Sequence, residues 1–241
     1  MNRTVLVTGG SSGIGRAVAA RFLTAGDDVF ITGRDPDRLG RAADELGAKP
    51  IACDAASPAD VASLAAQLGP SLDVLVNNAG GNTDFTAPEP ETGDLAGLLA
   101  SWRANLDANL LSAVLTTEAV KDKLAPGGSV ISLGSIGAER GAGSYGAAKA
   151  ALAAWNISLS SEVGSRGVTA NVISAGYIAE TGFFHDWLTS QRREALIAAT
   201  HDKRPGEVTD IAETAFFLAS PGARHITAQI IHVNGGAFPT R

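Results

Sequence analysis

An α/β fold, with a parallel sheet covered by helices on both faces, is what this sequence predicts. Three observations carry that prediction. Short apolar runs alternate with helix-spaced segments along the chain, which is the pattern of right-handed βαβ crossovers. A glycine-rich turn, Gly9-Gly-Ser-Ser-Gly13-Ile-Gly15, stands between the first strand and the first helix. Proline and small-polar pairs mark helix starts at Asp35-Pro36 and Ser57-Pro58.

The elements follow in order. Thr4–Thr8 reads as a buried strand, and Arg16–Ala25 has helical spacing that stops at Gly26. Asp28–Thr32 is the second strand. Asp35 caps a helix with proline at its first position, running to about Leu46. Lys49–Cys53 is the third strand, and Ser57 opens a helix to about Leu68. Leu72–Val76 is the fourth strand, followed by Asn77-Asn78-Ala79-Gly80 and a polar, proline-containing loop from 81 to 93. One long helix is expected from about Asp94 to Leu124. Ser129–Leu133 is a fifth strand, Ser144 to about Gly164 a helix, Val168–Ser174 a sixth strand and Gln229–Val233 a seventh. Residues 180–204 break this rhythm and carry Phe183, Phe184 and Trp187, so they read as a lid over the cleft. With no linker and no repeat, residues 1–241 are expected to form one domain.

Composition narrows the function. The chain has 241 residues, 45% hydrophobic and 18% charged, enough for a substantial core. Net charge is −6, and no Lys/Arg cluster of nucleic-acid type is present. The single cysteine, Cys53, reads as packing. No signal core opens the chain, and no apolar run reaches the ~20 residues of a membrane span. The expectation is a cytoplasmic protein that meets neither nucleic acid nor membrane and needs no metal.

Two constellations carry chemistry. The glycine turn between strand and helix is the setting in which backbone amides and a helix N-terminus hold a pyrophosphate. The second strand ends in Gly33-Arg34, where an acidic residue would grip the ribose of NAD. A guanidinium there suits a 2′-phosphate, so NADP(H) is favoured, with NAD(H) the alternative. The plainer reading is that Arg34 pairs with Asp35 or Asp37. The second constellation is Tyr145-Gly-Ala-Ala-Lys149. On a helix these side chains lie one turn apart on one face. An ammonium beside the phenol would lower its pKa from ~10 and suit it to acid–base work.

Together these motifs resemble the short-chain dehydrogenase/reductases over nearly the whole length, and most closely the 3-oxoacyl-acyl-carrier-protein reductase-like members. Thr8-Gly9-x-x-x-Gly13-x-Gly15 is similar to the family's cofactor loop, Asn77–Gly80 to its NNAG motif, and Ser135, Tyr145 and Lys149 to its catalytic set. Asn109 sits where the family keeps a catalytic Asn. The resemblance implies a Rossmann-type doubly wound sheet of seven parallel strands in the order 3-2-1-4-5-6-7. It implies cofactor contacts from Gly9, Ser11, Ser12, Gly13, Ile14, Gly15, Arg34, Asp54, Asn78, Ala79, Gly80, Tyr145, Lys149, Gly176, Ile178 and Thr181. It further implies hydride transfer between a nicotinamide and a carbonyl or secondary alcohol. Tyr145 would be the proton donor and Ser135 would hold the carbonyl oxygen. Lys149 would lower the Tyr145 pKa and bind the nicotinamide ribose, and Asn109 would steady a water behind Lys149. The substrate would be a small molecule or one borne by a carrier protein, for which Arg140, Arg192, Arg193, Lys203 and Arg204 are candidate contacts. The Ala-rich helix after Ser144 would pair across two-fold axes in a homodimer or homotetramer.

The sequence departs from the family pattern in four places. Only nine residues separate Ser135 from Tyr145. Ala175-Gly176 replaces Pro-Gly. Glu180 stands where a Thr is usual, with Thr181 one residue later. Asn234 replaces an Asp. A catalytically silent NADP-binding regulator on the same fold is the rival reading, but such a protein would be expected to have lost Tyr145 or Lys149. Nucleotide-sugar epimerases and dehydratases have larger C-terminal substrate regions than this chain supplies.

Overall fold

A computed structural model of the protein describes residues 2–184 and 187–240. His185 and Asp186, inside the stretch expected to form a lid, lie outside the described residues. The sheet has seven parallel strands in the order β3-β2-β1-β4-β5-β6-β7. The strands are β1 Thr4–Val7, β2 Asp28–Gly33, β3 Lys49–Ala52, β4 Leu72–Asn77, β5 Leu124–Ser135, β6 Thr169–Ala175 and β7 Ile230–Val233. The helices are α1 Gly13–Thr24, α2 Pro36–Leu46, α3 Pro58–Gln67, α4 Leu95–Leu106, α5 Ser112–Val120, α6 Gly137–Arg140, α7 Gly143–Val163, α8 Ser190–Ala198 and α9 Val208–Leu218.

Side chains alternate across the sheet and build two cores. Val5 and Val7 of β1 face one side with Val18 and Phe22 of α1, Leu39 of α2, and Ile211 and Leu218 of α9. Leu6 faces the other side with Leu64 of α3, Val120 of α5 and Leu159 of α7. Central strands buried on both faces are why these segments read as near-continuous apolar runs. Both expected caps form. Asp35 Oδ1 accepts from the amides of Asp37 and Arg38, each at 3.1 Å, and Ser57 Oγ accepts from the amide of Asp60 at 3.3 Å. Gly47 ends α2 in the left-handed region at φ 76°.

Three expectations are corrected. The long helix of 94–124 is two helices joined by a π-turn, Asp107–Leu111, and its last residues belong to a 3-10 turn and to β5. The break falls at Asn109, whose side chain leaves the helix to bind a neighbouring loop. The first helix starts at Gly13 rather than Arg16, so the end of the glycine turn is already helical. The sequence pattern assigns no helix at 208–218, yet one forms. Its start is a capping box made by Glu207 and Asp210, with Glu in a place usually held by Ser or Thr.

Candidate active site

Sheet order reverses between β1 and β4, whose neighbours β2 and β5 lie on opposite sides. A crevice outside the carboxyl ends of strands at such a switch point is where this architecture takes ligands. The turn after β1 and the Asn77–Gly80 segment after β4 both open there. They are locked together through Thr8, whose Oγ1 accepts from the amides of Asn78 at 3.0 Å and Ala79 at 2.9 Å. Asn78 Nδ2 donates back to the carbonyls of Thr8 and Gly9, at 3.0 and 3.1 Å. These bonds hold the ends of β1 and β4 together. Asn77, lower down, ties β4 to α5 instead, donating to Thr117 Oγ1 at 2.9 Å.

The turn leaves no room for side chains. A Cβ on Gly15 would lie 2.3 Å from the Gly9 carbonyl oxygen, so backbone packs on backbone. Ser12 stands at the N-cap of α1 without a side-chain bond to it, which leaves the first amides of the helix to a ligand. Ser11, Ser12 and Ile14 are half-buried around this turn. Arg34 is exposed at the end of β2. Among the described residues it pairs with neither Asp35 nor Asp37, and Asp35 is engaged in capping α2. Asp54, half-buried at the end of β3, accepts from the Ala56 amide at 3.1 Å. An exposed cation, a glycine-rich turn and an uncapped helix start fit the phosphates of a dinucleotide.

Ile178 is buried beyond β6, bridged to Gly206. Gly176, just before it, packs against Asn234, so closely that a Cβ there would lie 2.7 Å from the Asn234 Cβ. The Asn234 carboxamide in turn accepts from the Gly236 amide at 2.9 Å and donates to the Phe238 carbonyl. The displaced Thr is also accounted for. Glu180 takes a left-handed φ of 58°, and this brings the Thr181 backbone to within 3.3 Å of where a Gly13 Cβ would be. Thr181 therefore sits against the glycine turn although it comes one residue late.

Asn109 clamps the loop after β4. Its Oδ1 accepts from the Gly81 amide at 3.0 Å, and its Nδ2 donates to the Gly81 carbonyl at 2.8 Å and to the Asn105 carbonyl at 3.0 Å. Gly80 has to be glycine here: at φ 146° it lies so close that a Cβ would come 2.6 Å from Asn109 Oδ1.

Ser135, Tyr145 and Lys149 converge at the end of β5 and the start of α7. Ser135 Oγ accepts from the Gly137 amide at 3.0 Å, which turns the chain into α6. The short connection from 135 to 145 closes tightly, with Gly146 against the Gly137 carbonyl. Tyr145 is buried at 7% exposure, and the Ser135 hydroxyl acts to lower its pKa. Lys149 is buried at 6% exposure, its Nζ 5.8 Å from the Tyr145 ring centroid and donating to the Leu133 carbonyl at 2.7 Å.

The expected lowering of the phenol pKa is not what this arrangement produces. Burial pushes Tyr145 up to about 12, partly offset by the Ser135 hydrogen bond. Burial likewise brings Lys149 down to about 8. The ammonium is turned to the Leu133 carbonyl rather than to the phenol oxygen, and desolvation outweighs it.

A polar network beside this set has no counterpart in the sequence motifs. Asp84, in the 3-10 turn Thr83–Phe85, accepts from Ser101 Oγ at 3.0 Å, Asn105 Nδ2 at 2.9 Å and Ser144 Oγ at 3.3 Å. Asn105 is fully buried and also donates to Ser144 Oγ at 2.8 Å. The network ties the 80s loop to α4 and to the residue before Tyr145. Its members are far apart in sequence and form no motif, so no local signal marks them.

Phe85 leads to a cluster of rings above Tyr145. The Phe183 ring lies 5.5 Å from Tyr145, Phe85 lies 5.7 Å from both Phe183 and Phe184, and Phe85 stacks on Trp187 at 6.1 Å.

This site, on this sheet, is that of a nicotinamide-dependent oxidoreductase class, and comparison with known proteins agrees. Residues 9–237 match the short-chain dehydrogenase family described as enoyl-(acyl carrier protein) reductase. The chain belongs to the short-chain dehydrogenase/reductase family. It is 35% identical, over 97% of each chain, to a Mycobacterium tuberculosis protein named as an oxidoreductase without a stated substrate. It is 34% identical to the 3-oxoacyl-[acyl-carrier-protein] reductase of Escherichia coli, over 98% of this chain and 97% of that one. Among solved structures, a blue fluorescent protein from a metagenomic library, in complex with NADPH, superposes with a TM-score of 0.86 at 31% identity over 98% of both chains.

Proposed function

We propose that this protein is an NADP(H)-dependent reductase of carbonyl compounds, working as one dinucleotide-binding unit. The observation that carries the reading is the convergence of Ser135, Tyr145 and Lys149, all at the mouth of a crevice whose floor fits a dinucleotide. The bound cofactor supplies the hydride. The chain's own residues supply position and a proton. Ser135 hydrogen-bonds the carbonyl oxygen and holds it at the Tyr145 hydroxyl. Tyr145, neutral up to about pH 12, keeps its proton until the oxygen gains charge, which suits it to donate in the reducing direction. Lys149, charged below about pH 8, is the nearby cation that offsets the phenolate left behind. Asn109 keeps the 80s loop against α4. Its Nδ2 is engaged with Gly81 and Asn105, and its Oδ1 keeps a second lone pair for a water behind Lys149.

The exposed Arg34 and the complex of a 31%-identical structure with NADPH both support NADP(H). Arg34→Ala is expected to weaken NADPH binding by about 10-fold or more, the scale of a charge-assisted hydrogen bond, and to leave NADH binding unchanged. Titration of both cofactors checks this. Equal dissociation constants in the parent protein overturn the preference.

We also propose two-fold assembly. α4 and α7 pack side by side and leave an apolar surface open: Leu95 is 75% exposed, Leu99 50%, Trp102 42% and Ile157 62%, beside exposed Ala147, Ala150 and Ala154. A patch of this kind on a lone chain invites a partner. Sedimentation at low micromolar concentration should give a dimer or tetramer, and Ile157→Glu should shift it toward 24.5 kDa. A parent sedimenting at the chain mass refutes the assembly.

A further inference from the structure

The rings above Tyr145 come from two segments about a hundred residues apart, and among the described residues they make one continuous wall. Phe183 and Phe184 meet edge to face at 5.0 Å, Tyr177 meets Phe184 at 5.8 Å, and Phe183 reaches the Tyr145 ring itself. Trp187 is the clasp. Its Nε1 donates to the Phe85 carbonyl at 2.8 Å while its ring stacks on the Phe85 ring. Phe85 is in turn fixed from below, because its neighbour Asp84 is held by Ser101, Asn105 and Ser144. The wall is thus built onto the same network that precedes Tyr145, and a group lying against it stands at the phenol.

The cations that could greet a phosphate-bearing carrier are differently disposed. Arg204 is bound to Asp202 and Asp210. Lys203 donates to the Ala198 carbonyl, and Arg140 to the Ala237 carbonyl. Arg192 lies 5.6 Å over the Phe184 ring, so it closes the outer end of the wall. Of the five candidates, only Arg193 has no such engagement among the described residues.

We infer that the substrate class of this site is the aryl carbonyl compound, a ketone or aldehyde whose carbonyl adjoins an aromatic ring, held by Phe85, Phe183 and Phe184 with its oxygen at Tyr145. This rests on the reductase reading above. A flat ring entering the wall exchanges one ring contact for another, with offset and edge-to-face geometries already present. An acyl thioester arm brings amides and a flexible chain, which gain less from a wall of rings than a flat aromatic group does. The reaction is balanced by a reduced nicotinamide. The carbonyl carbon takes its hydride, the oxygen takes the Tyr145 proton, the C=O π bond becomes C–H and O–H, and the nicotinamide is oxidised.

The test uses the full chain with NADPH and three probes: 2-naphthyl methyl ketone, the acetoacetyl thioester of N-acetylcysteamine, and 2,3-butanedione. The naphthyl ketone is expected to exceed the thioester in kcat/KM by roughly 100-fold, within the range that pocket contacts supply. Phe183→Ala should cut the naphthyl ketone about 10-fold more than the butanedione. Phe183→Leu, which keeps apolar bulk but not the ring face, should fall between. A thioester equal to or better than the naphthyl ketone, or a Phe183→Leu loss equal for all three probes, overturns the inference. Butanedione turnover that disappears in Tyr145→Phe upholds the reductase reading whichever way the aryl preference falls. Binding gives a readout free of turnover. The naphthyl ketone should quench the part of the tryptophan emission that Trp187→Phe removes, and saturating ketone without such quenching overturns the inference.

Discussion

Tyr145→Phe should keep the fold and lose the reaction, with turnover falling about 100-fold or more, the scale of a positioned acid. The substitution removes one oxygen from a buried ring. That oxygen lies beside the Ser135 hydroxyl, whose Oγ still accepts from the Gly137 amide in the variant. The ring contact with Phe183 at 5.5 Å is unaltered in kind. The stability cost is therefore a single hydrogen bond, about 1 kcal/mol. The two consequences are measured separately, turnover by NADPH oxidation with the best carbonyl probe and stability by thermal melting. Near-parent turnover in a folded Tyr145→Phe protein would remove Tyr145 from the mechanism and point to another proton source.

The contrast between what is legible in the sequence and what is not follows from the range of the interactions. The strand–turn–helix at Thr4–Thr24, the caps at Asp35 and Ser57 and the Tyr145/Lys149 pair are local, each decided within a few residues, and the structure places them close to where they are read, with the first helix starting three residues earlier. Sheet order follows from the family resemblance, and the observed order agrees with it. The π-turn at Asn109 has no local signature. It depends on a glycine loop 28 residues away that satisfies the asparagine's carboxamide. The Asp84–Asn105–Ser144 network and the ring wall are invisible for the same reason, since Phe85 and Trp187 meet only once the sheet is assembled. The phenol pKa runs against the sequence expectation because spacing on a helix reports proximity and not desolvation. Both Tyr145 and Lys149 are buried, and burial sets the direction of each shift.

Lys149→Met should make the cofactor-free protein more stable near neutral pH while lowering turnover by about 100-fold. Burial brings the Lys149 pKa from 10.5 to about 8, so the folded state disfavours the ammonium. That difference corresponds to roughly 3 kcal/mol of penalty when the lysine is charged in both states. Against this, methionine leaves the Leu133 carbonyl without its 2.7 Å donor, a loss of at least about 1 kcal/mol. The desolvation penalty exceeds the lost hydrogen bond by at most about 2 kcal/mol, so the melting temperature should rise by up to roughly 4–8 °C for a chain of this size. The sign of the pH dependence separates this account from simple repacking. Below about pH 8 the whole penalty is present. Between there and 10.5 the folded state releases the proton before the unfolded state does, so parent stability rises with pH and approaches that of the variant. Melting curves of both proteins from pH 7 to 10 should therefore converge. A gap that stays constant, or a variant less stable than the parent at pH 7, would show that the buried ammonium is not the source. The same titration governs activity: reduction should decline above about pH 8 as Lys149 loses the charge that offsets the Tyr145 phenolate. The site thus holds, at a cost to stability, the cation that the proposed chemistry uses.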